Sequence, residues 1–188
     1  MEPDLPALAR LLRERAIIDA QIAQLIGRPA HAGHIGEYIA AAIFDIALHE
    51  SANHPGSDGV FSSGVLAGKT VNIKLYSKNA GFLDIVGSAV AADHPDIYLV
   101  MVGRRATALS SKGTSTPIAI ESVHLFESDQ LLATLVERGV FLGIGTSVRN
   151  VDWQAAMVYP ESKHPTFTMT DEQMALVALF APASDSQQ

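Results

Sequence analysis

Residues 66–78, LAGKTVNIKLYSK, decide the fold. Within them Thr70-Val71-Asn72-Ile73-Lys74-Leu75-Tyr76 alternates polar and apolar side chains and is β-branched at its start, the pattern of a strand with one wet face. Val71, Ile73 and Leu75 need a core, so Asn72 and Lys74 face outward or into a polar cleft. Upstream, Gly56-Ser57-Asp58-Gly59 is a turn signal ahead of the short extended pair Val60-Phe61. Downstream, residues 96–102, DIYLVMV, are a nearly unbroken apolar run of strand length and read as a buried central strand. A further strand is expected over residues 118–126.

Around these strands the period changes to that of helices. Leu5, Leu8, Leu12, Ile18, Ile22, Leu25 and Ile26 recur at three- and four-residue steps, an amphipathic helix that Gly27, Arg28 and Pro29 bring to an end. A second helix is expected over residues 33–48, carrying Ile35, Ile39, Ile43, Phe44 and Ile46, with Ala40, Ala41 and Ala42 allowing close packing. Ser128 is expected to cap a helix over DQLLATLVERG, closed by Gly139. Thr170 with Gln173 offers a capping box for a last helix whose apolar side holds Met174, Leu176, Val177 and Phe180. Helices, then strands, then helices predict an α/β domain, a sheet covered by helices.

Composition narrows the chemistry. The chain has 188 residues and 20.0 kDa, 48% of them apolar and 18% charged, enough for one sizeable core. Residues 1–182 are expected to form a single domain, with 1–27 a helical segment in front and 183–188 a polar, frayed tail. No cysteine is present, which excludes disulfides, thiolate metal sites and a cysteine nucleophile. No apolar run approaches the roughly 20 residues of a membrane span. The start, MEPDLPALARLLRER, lacks the basic end and apolar run of a signal peptide, so no membrane association and a cytoplasmic location are expected. The net charge of −7 argues against a uniformly basic nucleic-acid coat. It leaves room for a local one: over residues 68–112, Lys69, Lys74, Lys78, Arg104, Arg105 and Lys112 stand against three acids, Asp84, Asp93 and Asp96. Such a surplus is what phosphate contacts require, although it is also the composition of an ordinary solvated rim.

Taken singly, the polar residues of this region have plain structural readings. A strand lysine is usually solvated, an Asp-Gly aspartate commonly bonds its own turn, and a glutamate early in a helix, here Glu37, complements the helix dipole. Their order is more specific: a helix with a glutamate, an aspartate beside a glycine, a strand ending in a polar-x-lysine triplet, then a buried strand. In this order the chain resembles the PD-(D/E)XK, or restriction-endonuclease-like, superfamily. More narrowly, GHIGEYIAAAIFDIAL, SDGVF, LAGKTVNIKLYSK and DIYLVMVG resemble a bacterial group of restriction-endonuclease-like proteins, well over residues 16–103 and more loosely beyond.

The resemblance implies a restriction-endonuclease-like mixed central sheet flanked by helices, with the N-terminal helix as an extension. It also implies a Mg²⁺-dependent phosphodiesterase acting on DNA. Asp58 matches the motif aspartate, Lys74 the lysine, and Glu37 the helix glutamate that many members add to the metal site. Asn72 falls where the motif has glutamate or aspartate, so it would be a neutral metal ligand or an orienter beside Asp58 and Glu37. Such a site would hold Mg²⁺ through oxygen ligands, while the lysine neutralises developing charge. The departure at Asn72 keeps a second reading open: a catalytically degenerate member serving as a nucleic-acid-binding or structural subunit of a restriction or defence system. Many relatives work as dimers, so a homodimer is a further expectation.

Other candidates are weaker. Seven histidines include His31 and His34, three apart, and His49 and His54 about Glu50, but none has the spacing of a zinc site; His34 lies one turn before Glu37. Asp84 either faces the site or caps a turn, Trp153 and Tyr159 read as packing, and residues 110–113 read as a loop. Gly143-Ile144-Gly145-Thr146-Ser147 lacks the lysine of a phosphate-binding loop. The first two helices have the order of a helix-turn-helix, yet the second is apolar where a recognition helix presents polar side chains to bases.

Overall fold

The computed structural model describes residues 4–51, 54–76, 81–85, 94–103, 118–143 and 145–182. Its elements, in chain order, are α1 (Leu5–Ile26), α2 (Ala32–Phe44), β1 (Ile46–Leu48), β2 (Gly59–Phe61), β3 (Thr70–Tyr76), β4 (Phe82–Leu83) and β5 (Ile97–Val102). There follow β6 (Ser122–Glu127), α3 (Ser128–Glu137), β7 (Thr146–Ser147), α4 (Asn150–Ala155), β8 (Met157–Tyr159) and α5 (Asp171–Ala178). Six strands form a mixed sheet in the order β1-β2-β3-β5-β6-β8, and β4 pairs with β7 in a separate ribbon. Within the large sheet only β3 and β5 run parallel, in register from Val71 opposite Ile97 to Tyr76 opposite Val102. The protein is therefore α/β, with a mixed six-stranded central sheet and helices on both faces.

Strand alternation builds a core on each side of that sheet. One core takes Val71 and Ile73 of β3, Ile97, Leu99 and Met101 of β5, and Ile39, Ala40, Ile43 and Phe44 of α2, with Val177 of α5. The other takes Tyr98, Val100 and Val102, with Phe126, Leu131, Leu132, Leu135 and Trp153, and Leu83 and Ile85 from the β4 segment. β5 is buried along its whole length, as its unbroken apolar run requires. Ile39, Ala40, Ile43 and Phe44 are spent on packing, so α2 has no recognition face at these positions.

Helix ends follow local chemistry. Gly27, at φ 70°, ends α1 in the left-handed region, where a side chain is disfavoured. Thr170 and Gln173 form the expected reciprocal capping box of α5. Three boundaries differ from the sequence reading. The second helix stops at Phe44 rather than at residue 48. Asp45 turns the chain at φ 53°, and Ile46 enters β1 opposite Phe61. The strand expected over 118–126 begins at Ser122. Ser128 is the first residue of α3, not its cap: it is buried, and Glu127 occupies the N-cap position. Among the described residues no helix is long and apolar enough to cross a membrane.

Candidate active site

α2 lies so close on β3 that a Cβ at Gly36 would stand 2.7 Å from Leu75 Cβ. That approach sets the height of the next residue, Glu37, against the strand. Arg28, just past the end of α1, points back to ion-pair with Glu37 and donates from its other terminal nitrogen to the His49 carbonyl. Both partners are largely covered, the Arg28 side chain 18% and the Glu37 side chain 13% exposed. The His49 N–H in turn donates to the Asp58 carbonyl at 2.9 Å. One chain of polar contacts thus joins the α1–α2 junction to the turn that carries Asp58.

Asp58 is fixed by β3. Its N–H donates to Val71 O at 2.8 Å, and its Oδ2 accepts from the Ile73 N–H at 2.6 Å. The aspartate does what the sequence allows in a turn, but it bonds the neighbouring strand, bracketing Asn72 from both sides. Gly59 follows because a Cβ there would meet Ala47 O at 2.6 Å, so β1 and β2 close only around a glycine.

Asn72 and Lys74 do share a face, opposite Val71 and Ile73, yet that face is not wet at Asn72, which is 6% exposed. Asn72 sits beside Tyr98 across the β3–β5 pair, and Lys74 beside Val100. Asn72 Oδ1 and the Tyr98 hydroxyl are both buried and both lack a hydrogen-bond partner. Burial pushes the Tyr98 phenol up to about 12. Buried polar atoms are ordinarily satisfied, so this orphaned amide oxygen and the neighbouring phenol stand out in the sheet. Lys74 is half-buried and forms no ion pair or hydrogen bond among the described residues.

Glu37 feels the charge of Asp58. Burial raises the Glu37 pKa first, and the Asp58 charge raises it further; Arg28 and His34 pull it down. Carboxylate and amide oxygens are the hard donors that Mg²⁺ or Mn²⁺ takes, but Glu37 lies with α2 on the Val71 and Ile73 side of the sheet and Asn72 on the Tyr98 side. Glu37 would enter such a set already paired with Arg28. Among the described residues no three His, Cys, Asp or Glu side chains cluster to hold a metal.

Beside Asp58 opens a cavity of about 370 Å³ lined by His54, Pro55, Gly56, Ser57, Thr70, His94 and Pro95. Ser57 Oγ is 3.0 Å from His49 Nε2, and the His49 and His54 rings stack with centroids 3.8 Å apart. His34, one turn before Glu37, holds Pro29 O through Nδ1 at 2.9 Å. Asp84 ties loops together, accepting from the Gly145 N–H at 2.9 Å while its own N–H donates to the Tyr76 hydroxyl at 3.0 Å. Trp153 is buried and Tyr159 half-buried against the sheet, both as packing. Lys78, Asp93, Arg104, Arg105, residues 110–113 and Ile144 lie outside the described residues.

The sequence brought Glu37, Asp58, Asn72 and Lys74 into one hypothesis. Asp58 bonds β3 on either side of Asn72 and its charge reaches Glu37, while Asn72 and Lys74 lie on the face of β3 away from α2, and Lys74 bonds neither acid. Arg28 and Tyr98 were missed. Arg28 looked like a residue that ends a helix, and Tyr98 like one more apolar member of a buried strand. Compared with known protein families and with curated proteins, the chain matches neither a family model nor a curated protein.

Proposed function

We propose that the chain is a Mg²⁺-dependent phosphodiesterase of the PD-(D/E)XK type that acts on DNA, in the cytoplasm, as a homodimer. The observation that carries this reading is the Asp58 carboxylate, held against β3 by the Ile73 N–H, with Glu37 within reach of its charge. Asp58, Glu37 and Asn72 would hold the ion. The chemistry a bound ion supplies is polarisation of the phosphate and a lower pKa for a coordinated water. The chain's own residues do the rest. Asp58 is oriented by the Ile73 N–H, Arg28 sets the position and ionisation of Glu37, and Lys74, free of any described partner, balances charge that develops on the phosphate oxygens.

A second reading, a catalytically degenerate protein that binds nucleic acid or serves as a structural subunit of a restriction or defence system, has one observation in its favour. Arg28 already neutralises Glu37, and Asn72 adds no negative charge. Cleavage of plasmid DNA with Mg²⁺, with EDTA, and by the Asp58→Ala variant separates the two. The nuclease reading expects cleavage that needs both the ion and Asp58. Cleavage that survives Asp58→Ala removes Asp58 from the mechanism, and binding at low salt without cleavage leaves the degenerate reading.

A further inference from the structure

Ser57 lines the cavity of about 370 Å³ beside Asp58, and its hydroxyl meets His49 Nε2 at 3.0 Å. His49 does not itself line that space. It is held at three points: its N–H donates to Asp58 O at 2.9 Å, its carbonyl accepts from Arg28, and its ring stacks on His54 with centroids 3.8 Å apart. Ser57 is fixed as well. Gly56 before it takes φ 81°, in the left-handed region that glycine favours, and Asp58 after it bonds β3 through both N–H and carboxylate.

A hydroxyl with open space in front and an imidazole nitrogen in hydrogen-bond reach is the arrangement of an activated nucleophile and its base. With its proton on Nδ1, His49 presents the Nε2 lone pair to the Ser57 O–H. The cavity walls suit a small uncharged acyl group. Pro55 and Pro95 supply apolar surface, no carboxylate lines the space, and its volume is that of a small-molecule site. Thr70 spends its hydroxyl on Asp96, and His94 holds Asp129 through Nε2. Among the described lining residues, that leaves the His54 ring, stacked over His49, to donate to an oxyanion.

We propose that Ser57 and His49 form a nucleophile–base pair that hydrolyses small carboxylic esters in this cavity. Ser57 Oγ attacks the ester carbonyl and its proton passes to His49 Nε2. His49 gives that proton to the departing alcohol as the carbon–oxygen bond breaks, leaving the acyl group on Ser57. Water then attacks the acyl carbonyl and its proton passes to His49, which returns it to Ser57 Oγ as the carboxylic acid leaves. These steps use neither Glu37 nor a metal ion, so the pair stands or falls apart from the phosphodiesterase reading.

Diisopropyl fluorophosphate should label the full chain at Ser57 with release of fluoride, read by peptide mass spectrometry. Ser57→Ala should lose the label and His49→Gln should slow it by about 100-fold, each with the circular dichroism of the wild type. p-Nitrophenyl acetate should be hydrolysed equally in Mg²⁺ and in EDTA, and not by Ser57→Ala. A wild-type chain without the label, a label on another residue, or a labelling rate indifferent to His49→Gln overturns the pair. Ester hydrolysis that EDTA abolishes overturns it too and moves that chemistry to the metal. Mg²⁺-dependent cleavage of DNA by a chain whose Ser57 stays unlabelled overturns the pair and keeps the phosphodiesterase.

Discussion

Replacing Arg28 by methionine would keep most of the side-chain volume and remove the counter-ion of Glu37. Breaking a fully buried ion pair from one side costs about 3–5 kcal/mol, because the remaining charge has no compensation. Arg28 and Glu37 retain some water, at 18% and 13% exposure, so the expected loss at neutral pH is about 2–3 kcal/mol. In a chain of this length that corresponds to roughly 4–12 °C in Tm. The pH dependence has a definite sign. Burial and Asp58 raise the Glu37 pKa and Arg28 lowers it, so removing Arg28 raises it further. A carboxyl with a folded pKa above its unfolded value binds its proton more tightly when folded. Its contribution to stability is complete below the unfolded value and is lost as pH rises through the folded one. The Arg28→Met deficit should therefore be small near about pH 4 and grow toward about pH 7.5. Urea unfolding at the two pH values measures it, and Arg28→Met with Glu37→Gln should recover most of the neutral-pH loss. A deficit equal at both pH values, or none, would refute the placement of Arg28 as the counter-ion of Glu37.

Three further outcomes follow from other contacts. Gly36→Ala should cost about 1–3 kcal/mol in urea melts, because the new methyl meets Leu75 Cβ at 2.7 Å and neither atom can swing away; wild-type stability would contradict the α2–β3 approach. His124 donates from Nδ1 to Trp153 O at 2.8 Å, accepts from Ser122 Oγ at 2.9 Å, and is pushed by burial down to about 4. Its stabilisation is complete above the ordinary histidine pKa and is lost as pH falls toward about 4, roughly 3 kcal/mol in all; His124→Gln should remove that slope from the pH profile of unfolding. Lys74→Met should leave Tm within about 1 °C, as the amine has no described partner, and lower Mg²⁺-dependent cleavage by about 100-fold; unchanged cleavage would take Lys74 out of the site.

Periodicity carried much of the fold. The α1 stop at Gly27, the strand at β3, the buried run of β5 and the Thr170–Gln173 box are local signals that the structure keeps, although the polar face expected of β3 is buried at Asn72. The boundary at Phe44 was not legible, because Ile46 continues the helical spacing. What ends α2 is the left-handed turn at Asp45 together with pairing of Ile46 to Phe61, a partner 15 residues away. Ser128 failed as a cap for a similar reason: its N–H is taken by Asp96 O at 2.9 Å, a tertiary bond that draws it into the helix and the core. The site divides along the same line. Asp58, Asn72 and Lys74 could be placed by turn and strand grammar. The burial of Asn72 beside Tyr98 depends on the strand next door, and the clamp of Arg28 on Glu37 depends on how α1 meets α2.

The proposed metal site is the centre of the functional account, and a calorimetric titration of Mn²⁺ into the wild-type protein, Asp58→Ala and Asn72→Glu tests it most directly. The account predicts binding by the wild type, its loss in Asp58→Ala, and tighter binding when Asn72→Glu supplies the missing negative charge. Binding that is absent from the wild type, or indifferent to both substitutions, would contradict it.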